Sequence, residues 1–197
     1  MTELTLKCKC GSFEATFDAP PRVCFNCQCH SCVSAIKTIE AKEGFDGTSM
    51  KQDDREYSGV AIAIFKSNNT TIKTIDGSKI GFVKVGENGP YPRPYCTQCG
   101  TVLFNVYMPN WSAANLNAIT NADGTAWKPA KPVMNTNCKN AFDPESVPEP
   151  KQKSIPFGFV FSFIPTVLGL RCDGSNADTK ELIPDLDKVE VCPITWE

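Results

Sequence analysis

At 197 residues the chain is long enough to bury a substantial core, as one domain or as one domain with an appendage. Its formal net charge of −2 and the lack of any Lys/Arg run exclude an electrostatic footprint for nucleic acid. Eleven cysteines beside a single histidine exclude sites built mainly from imidazole.

The start, MTELTLKCKC, has neither the basic n-region nor the apolar core of a signal peptide. The expected compartment is the cytoplasm, where thiols stay reduced and clustered cysteines are metal ligands or reactive groups before they are disulfides. Leu4 and Leu6 alternate with polar residues, and Phe13, Ala15 and Phe17 do so again after Gly11, the pattern of half-buried strands. Residues 33–43 read as a short helix with much β-branched content. Residues 59–66 (GVAIAIFK), 70–75, 80–85 and 101–107 are further strands, separated by Ser/Asn, Asp-Gly and Gly/Pro turns.

After Trp127 the character shifts. Residues 128–153, rich in Pro, Asn and Lys, read as an irregular connection. Residues 155–170 (IPFGFVFSFIPTVLGL) are the most apolar stretch, yet too short and too broken by Pro156 and Pro165 to span a membrane. This stretch is expected to fold back over the β core and to wall an apolar pocket at the second cysteine cluster. Its alternatives are a partner surface and contact with a membrane surface.

Seven cysteines form three tight clusters: Cys8 and Cys10; Cys27, Cys29 and Cys32 in CQCHSC; and Cys96 and Cys99 in YCTQCGT. Such spacings bring soft thiolates within reach of one ion, usually zinc. Two plus two makes a closed four-sulfur site that ties the first strand to a late hairpin. Gly100, just after Cys99, suits a knuckle turn in which backbone amides approach the sulfurs. Three alone makes a site with one position open to a substrate thiol, which loses its proton on binding. Two other readings of the triplet stand beside this one. Cys24 or His30 closes the shell and makes the site structural, or the cysteines carry redox chemistry without a metal. Cys24, Cys138, Cys172 and Cys192 lie outside the clusters.

The stretches CKCGSFEATF, CQCHSC and RPYCTQCGTVLF together resemble the glutathione-dependent formaldehyde-activating (GFA) enzyme family, which includes the centromere protein V domain. The resemblance implies a mainly β fold, a zinc-bound β-tent of small antiparallel sheets. It covers a GFA-type zinc-binding domain over residues 4–130, with an irregular C-terminal extension over 131–197 packed on the same domain. It implies two zinc ions per chain: a structural one on Cys8, Cys10, Cys96 and Cys99, and a catalytic one on Cys27, Cys29 and Cys32. The implied activity is that of a carbon–sulfur lyase or thiol-adduct synthase acting on a small thiol or thiol adduct, with glutathione as a co-substrate of the family; an apolar wall at the site would favour an adduct less polar than the glutathione one. Gln28 and Val33 replace the family's usual His and Arg, and Arg93 and Arg171 are candidate cations to compensate. Tyr95, Tyr107 and His30 are the titratable groups nearest the clusters in sequence. The alternative function is a non-catalytic zinc-binding interaction module. Neither reading involves nucleic acid or a membrane span.

Overall fold

A computed structural model of the chain describes residues 3–42, 45, 59–66, 69–89, 91–107, 111–130, 133–145, 147–154, 182, 185 and 189–192. The apolar stretch 155–170, Arg171 and Cys172 lie outside the described residues. Those described are mainly β, with twelve short strands and one α-helix. In chain order these are β1 (Leu4–Lys7), β2 (Phe13–Phe17), β3 (Val23–Cys27), α1 (His30–Glu40), β4 (Val60–Lys66), β5 (Thr70–Ile75) and β6 (Ile80–Val85). Then follow β7 (Arg93–Cys96), β8 (Phe104–Tyr107), β9 (Trp111–Asn115), β10 (Ile119–Asn121), β11 (Met134–Thr136) and β12 (Glu190–Cys192).

They make three small sheets, ordered β10-β1-β2-β5, β11-β3-β4-β9-β8 and β12-β6-β7. Pairing is antiparallel except for β11 on β3 and β12 on β6, which are parallel. The five-stranded sheet divides the apolar interior, and β4 shows how. Ala61, Ala63 and Phe65 face a core shared with Leu4, Leu6, Phe13 and Phe17. Val60, Ile62 and Ile64 face a second core shared with Val33, Ile36, Ile39 and Val83. Successive strand residues point to opposite faces, so one all-apolar strand serves both cores. In the first core the Phe17 and Phe65 rings stack with centroids 3.7 Å apart. Each fully buried phenylalanine contributes roughly 2–3 kcal/mol relative to exposure.

Helix α1 closes the second core. Its buried face is Val33, Ala35, Ile36 and Ile39, a spacing of three and four. Just past its C-terminus, Lys42 pairs with Glu190 at 2.9 Å. On the inner side, Thr38 Oγ1 lies 2.7 Å from Cys192 Sγ, so β12 is held to the helix as well as to β6. No described helix is long and apolar enough to cross a membrane.

Two differences from the sequence reading matter for the site. The helix begins at His30, three residues before the expected start, so Cys32 lies in its first turn. The 128–153 connection is not wholly irregular: it contains β11, whose Met134, Asn135 and Thr136 lie beside Phe25, Asn26 and Cys27.

Candidate metal centres

The first centre forms where two tight turns meet. Cys8 and Cys10 leave β1, and the chain reverses at Gly11, whose φ of 79° lies in the left-handed region. Cys96 ends β7, and Cys99 precedes Gly100, which has φ 70°. A methyl group at Gly100 would also overlap the Phe45 ring. The four sulfurs all lie within 4.8 Å of one another. Cys10 Sγ is 3.5 Å from Cys8 Sγ and 3.4 Å from Cys96 Sγ. Tetrahedral bonds of about 2.3 Å would separate sulfurs by about 3.8 Å, so small adjustments suffice to seat an ion.

Donors surround these sulfurs. The Phe13 amide donates to Cys8 Sγ at 3.2 Å. Ser12 Oγ lies 3.1 Å from Cys10 Sγ, and Thr101 Oγ1 lies 3.2 Å from Cys99 Sγ. Burial opposes ionisation of Cys10, but the Ser12 hydroxyl and amide, then the Cys96 and Cys8 thiols, hold it down to about 6. Desolvation pushes Cys96 up to about 12, partly offset by the Gln98 and Cys99 amides. A cage of donors around four thiols is chemistry suited to a metal–thiolate site, in which each sulfur needs its negative charge balanced.

The second centre sits where β3 runs into α1. Cys27 ends the strand. Cys29 is the extended residue before the helix, at φ −69° and ψ 145°, and Cys32 lies in the first turn. The three sulfurs lie within 4.8 Å of one another, with Cys27 and Cys29 at 3.3 Å. Cys29 occupies the position where Ser, Thr or Asp usually caps a helix. The positive end of the helix dipole therefore meets the thiols. Hydrogen bonds from the Cys27 and Cys32 thiols hold Cys29 far below the ordinary thiol range, with the Arg93 guanidinium adding to the effect. Donating that bond to Cys29 pushes Cys27 up to about 11.

Two residues from elsewhere complete the surroundings. Asn137, in left-handed backbone at φ 59° and ψ 29°, donates from Nδ2 to Cys27 Sγ at 3.4 Å. Arg93, buried on β7, donates from Nη2 to Ser31 Oγ at 2.8 Å, beside the triplet. Sequence reasoning reaches Arg93 as a compensating cation and misses Asn137. The one hint in TNCKN is an asparagine, the residue after glycine most tolerant of left-handed backbone, but its sulfur partner is 110 residues away.

Neither proposed closing ligand joins the triplet. Among the described residues, the only His, Cys, Asp or Glu groups gathered with ligand spacing there are Cys27, Cys29 and Cys32. Cys24 and Cys27 are three apart on one strand, so they face opposite sides. Cys24 packs against the first core and Cys27 within the second. Desolvation pushes the Cys24 thiol up to about 12. His30 packs on the Phe142 ring, with centroids 3.9 Å apart. Of the other cysteines, Cys138 is buried beside Ala141 and Val147, and Cys192 contacts α1. Tyr95 and Tyr107 are buried in the second and first cores.

Gln28, between the first two triplet cysteines, is 1 % exposed. Its amide nitrogen Nε2 donates to Asn135 Oδ1 at 3.0 Å, and Asn135 Nδ2 donates to the Pro148 carbonyl at 2.8 Å. It therefore ties the triplet loop to β11. Both cysteine groups can hold a metal ion, one with four thiols and one with three. No model of a known protein family matches the chain, and no curated protein matches it.

Proposed function

We propose that the chain is a zinc-dependent carbon–sulfur lyase or thiol-adduct synthase, acting at Cys27, Cys29 and Cys32, and a member of the GFA family that its cysteine signature resembles. The observation that carries this reading is the unequal ligand number. Four thiols converge at one centre and three at the other, with no fourth described His, Cys, Asp or Glu at the second. Zinc suits both sets, as a closed structural site on Cys8, Cys10, Cys96 and Cys99 and an open one on the triplet. A zinc ion on the triplet supplies Lewis acidity and lowers the pKa of a thiol that enters its open position.

The chain's own residues prepare that place. The N-terminus of α1 directs positive potential at the thiols. Asn137 fixes the Cys27 sulfur by its amide hydrogen bond. Arg93 brings positive charge against Cys29. The substrate class is a small thiol or thiol adduct, with glutathione as the co-substrate that the resemblance implies.

One observation favours a second reading, a non-catalytic zinc module. Gln28 and Val33, standing where the family carries His and Arg, are buried side chains at 1 % and 2 % exposure. Zinc X-ray absorption with and without added thiol separates the two. Gain of a sulfur at one of two zincs supports the enzyme; full protein ligation at both, unchanged by thiol, supports the module. A screen of thiol–aldehyde adducts on zinc-loaded protein then tests turnover, which Cys29→Ser should abolish. No turnover of any adduct would remove the enzymatic reading.

A further inference from the structure

The least expected group near the triplet is the Arg93 side chain. It is 5 % exposed, and arginine is seldom buried so deeply without a partner of opposite charge. Its Nη2 donates to Ser31 Oγ at 2.8 Å and its Nη1 to the Tyr91 carbonyl at 3.2 Å, both uncharged acceptors. Its buried Nε has no hydrogen-bond partner. No carboxylate pairs with it among the described residues. An uncompensated buried cation is strongly destabilising, so an anion is called for.

Among the described residues, the source of negative charge that the fold places beside it is the cysteine triplet. Ser31, which holds the guanidinium, stands between Cys29 and Cys32 in the first turn of α1. On β7, strand alternation sends Arg93 and Tyr95 to one face and Cys96 to the other. Tyr95 packs in the core that also holds Cys27, whereas Cys96 packs in the first core with Cys8. Arg93 thus serves the triplet and not the four-thiol centre.

The geometry points to Arg93 as the counter-charge of the triplet centre, a positioning residue that makes the open position select a thiolate over a neutral ligand. This inference rests on the open-site reading above. Three thiolates and a divalent ion sum to −1, and Arg93 brings the centre to zero. A thiol entering there would give its proton to solvent and bind as thiolate, leaving the centre at −1. Without Arg93 the same step would build up −2 in a partly buried site. A neutral ligand such as imidazole adds no charge and gains little from the guanidinium.

The test uses the full chain loaded with cobalt(II), whose visible absorption reports the ligands of each metal. Wild type and Arg93→Gln are titrated with 2-mercaptoethanol and, separately, with imidazole. The expected result is thiol affinity weaker by about tenfold or more in the variant, as for loss of a buried charge partner, with imidazole affinity little changed. Equal thiol affinity in wild type and folded variant, both holding two metals, overturns the role of Arg93 and leaves the open site standing. If neither ligand alters the wild-type spectrum, the open site itself is wrong and the inference falls with it. Should Arg93→Gln fail to fold, Ser31→Asp carries the test. It gives the guanidinium a carboxylate at a half-buried first-turn position where an acid suits the helix. Weaker thiol binding in this variant supports the role, and unchanged binding overturns it.

Discussion

Asn137 spends backbone energy at a position few residues tolerate. Left-handed backbone costs a non-glycine residue of order 1–2 kcal/mol, and asparagine less than most. The return is a side-chain amide delivered to the Cys27 sulfur at 3.4 Å. Groups that hydrogen-bond a metal ligand commonly change affinity 10–100-fold when removed. Asn137→Gly should therefore keep the backbone and weaken metal binding at the triplet by roughly tenfold, read by chelator competition. Equal retention of metal by variant and wild type would reduce Asn137 to a turn residue. Cys24 makes the contrasting case. Its thiol faces the other core, so Cys24→Ala should leave the metal stoichiometry at its wild-type value. Its cost should be about 1 kcal/mol in denaturant unfolding, as for a small core truncation.

At the scale of elements, the triplet depends on β11 as much as on α1. The parallel pair β11–β3 is short, and side-chain bonds reinforce it: a buried one from Gln28 to Asn135, and a half-buried one from Asn135 to Pro148. Gln28→Ala leaves the Asn135 Oδ1 acceptor without that donor, at a cost of about 1–3 kcal/mol. We expect a lowered denaturant midpoint together with faster loss of metal from the triplet than from the four-thiol site. Equal rates at both sites would mean that β11 does not support the triplet. The sequence announces some elements and hides others for physical reasons. β2, β4, β5 and β6 are legible because each alternates or forms an apolar run between turn residues. β3 is obscured because Cys24 and Cys27 read as ligands, although their opposite facing is what excludes Cys24 from the site. β11 (Met134–Thr136) is three residues long and largely polar, and its signal lies in a partner strand more than a hundred residues away. The helix start is hidden because its first turn carries Cys32, a candidate ligand, so the apolar period begins only at Val33. The seven clustered cysteines are legible outright. What spacing cannot supply is the Asn137 amide, which depends on tertiary contact.

Across the whole molecule the two centres do different structural work, and that difference is testable. The four-thiol site joins the β1–β2 hairpin to the turn after β7, segments some ninety residues apart, and its Cys8, Cys96 and Cys99 pack with the first core. The triplet is local: its three cysteines span six residues at one strand–helix junction. A structural zinc site contributes on the order of 10 kcal/mol to folding, comparable with the whole stability of a domain this size. A metal lost from the long-range site would release two hairpins, whereas one lost from the junction would free only the end of β3 and the first turn of α1. Cys96→Ser is therefore expected to yield unfolded or insoluble protein. Cys29→Ser should remain folded by circular dichroism, keep one zinc per chain, and lose both thiol binding and any turnover. Elemental analysis of reduced wild type should give two zinc ions per chain. If Cys96→Ser folds as well as Cys29→Ser, the first centre does not hold the hairpins together. If Cys29→Ser unfolds like Cys96→Ser, the triplet is a structural site and the case for chemistry there is lost.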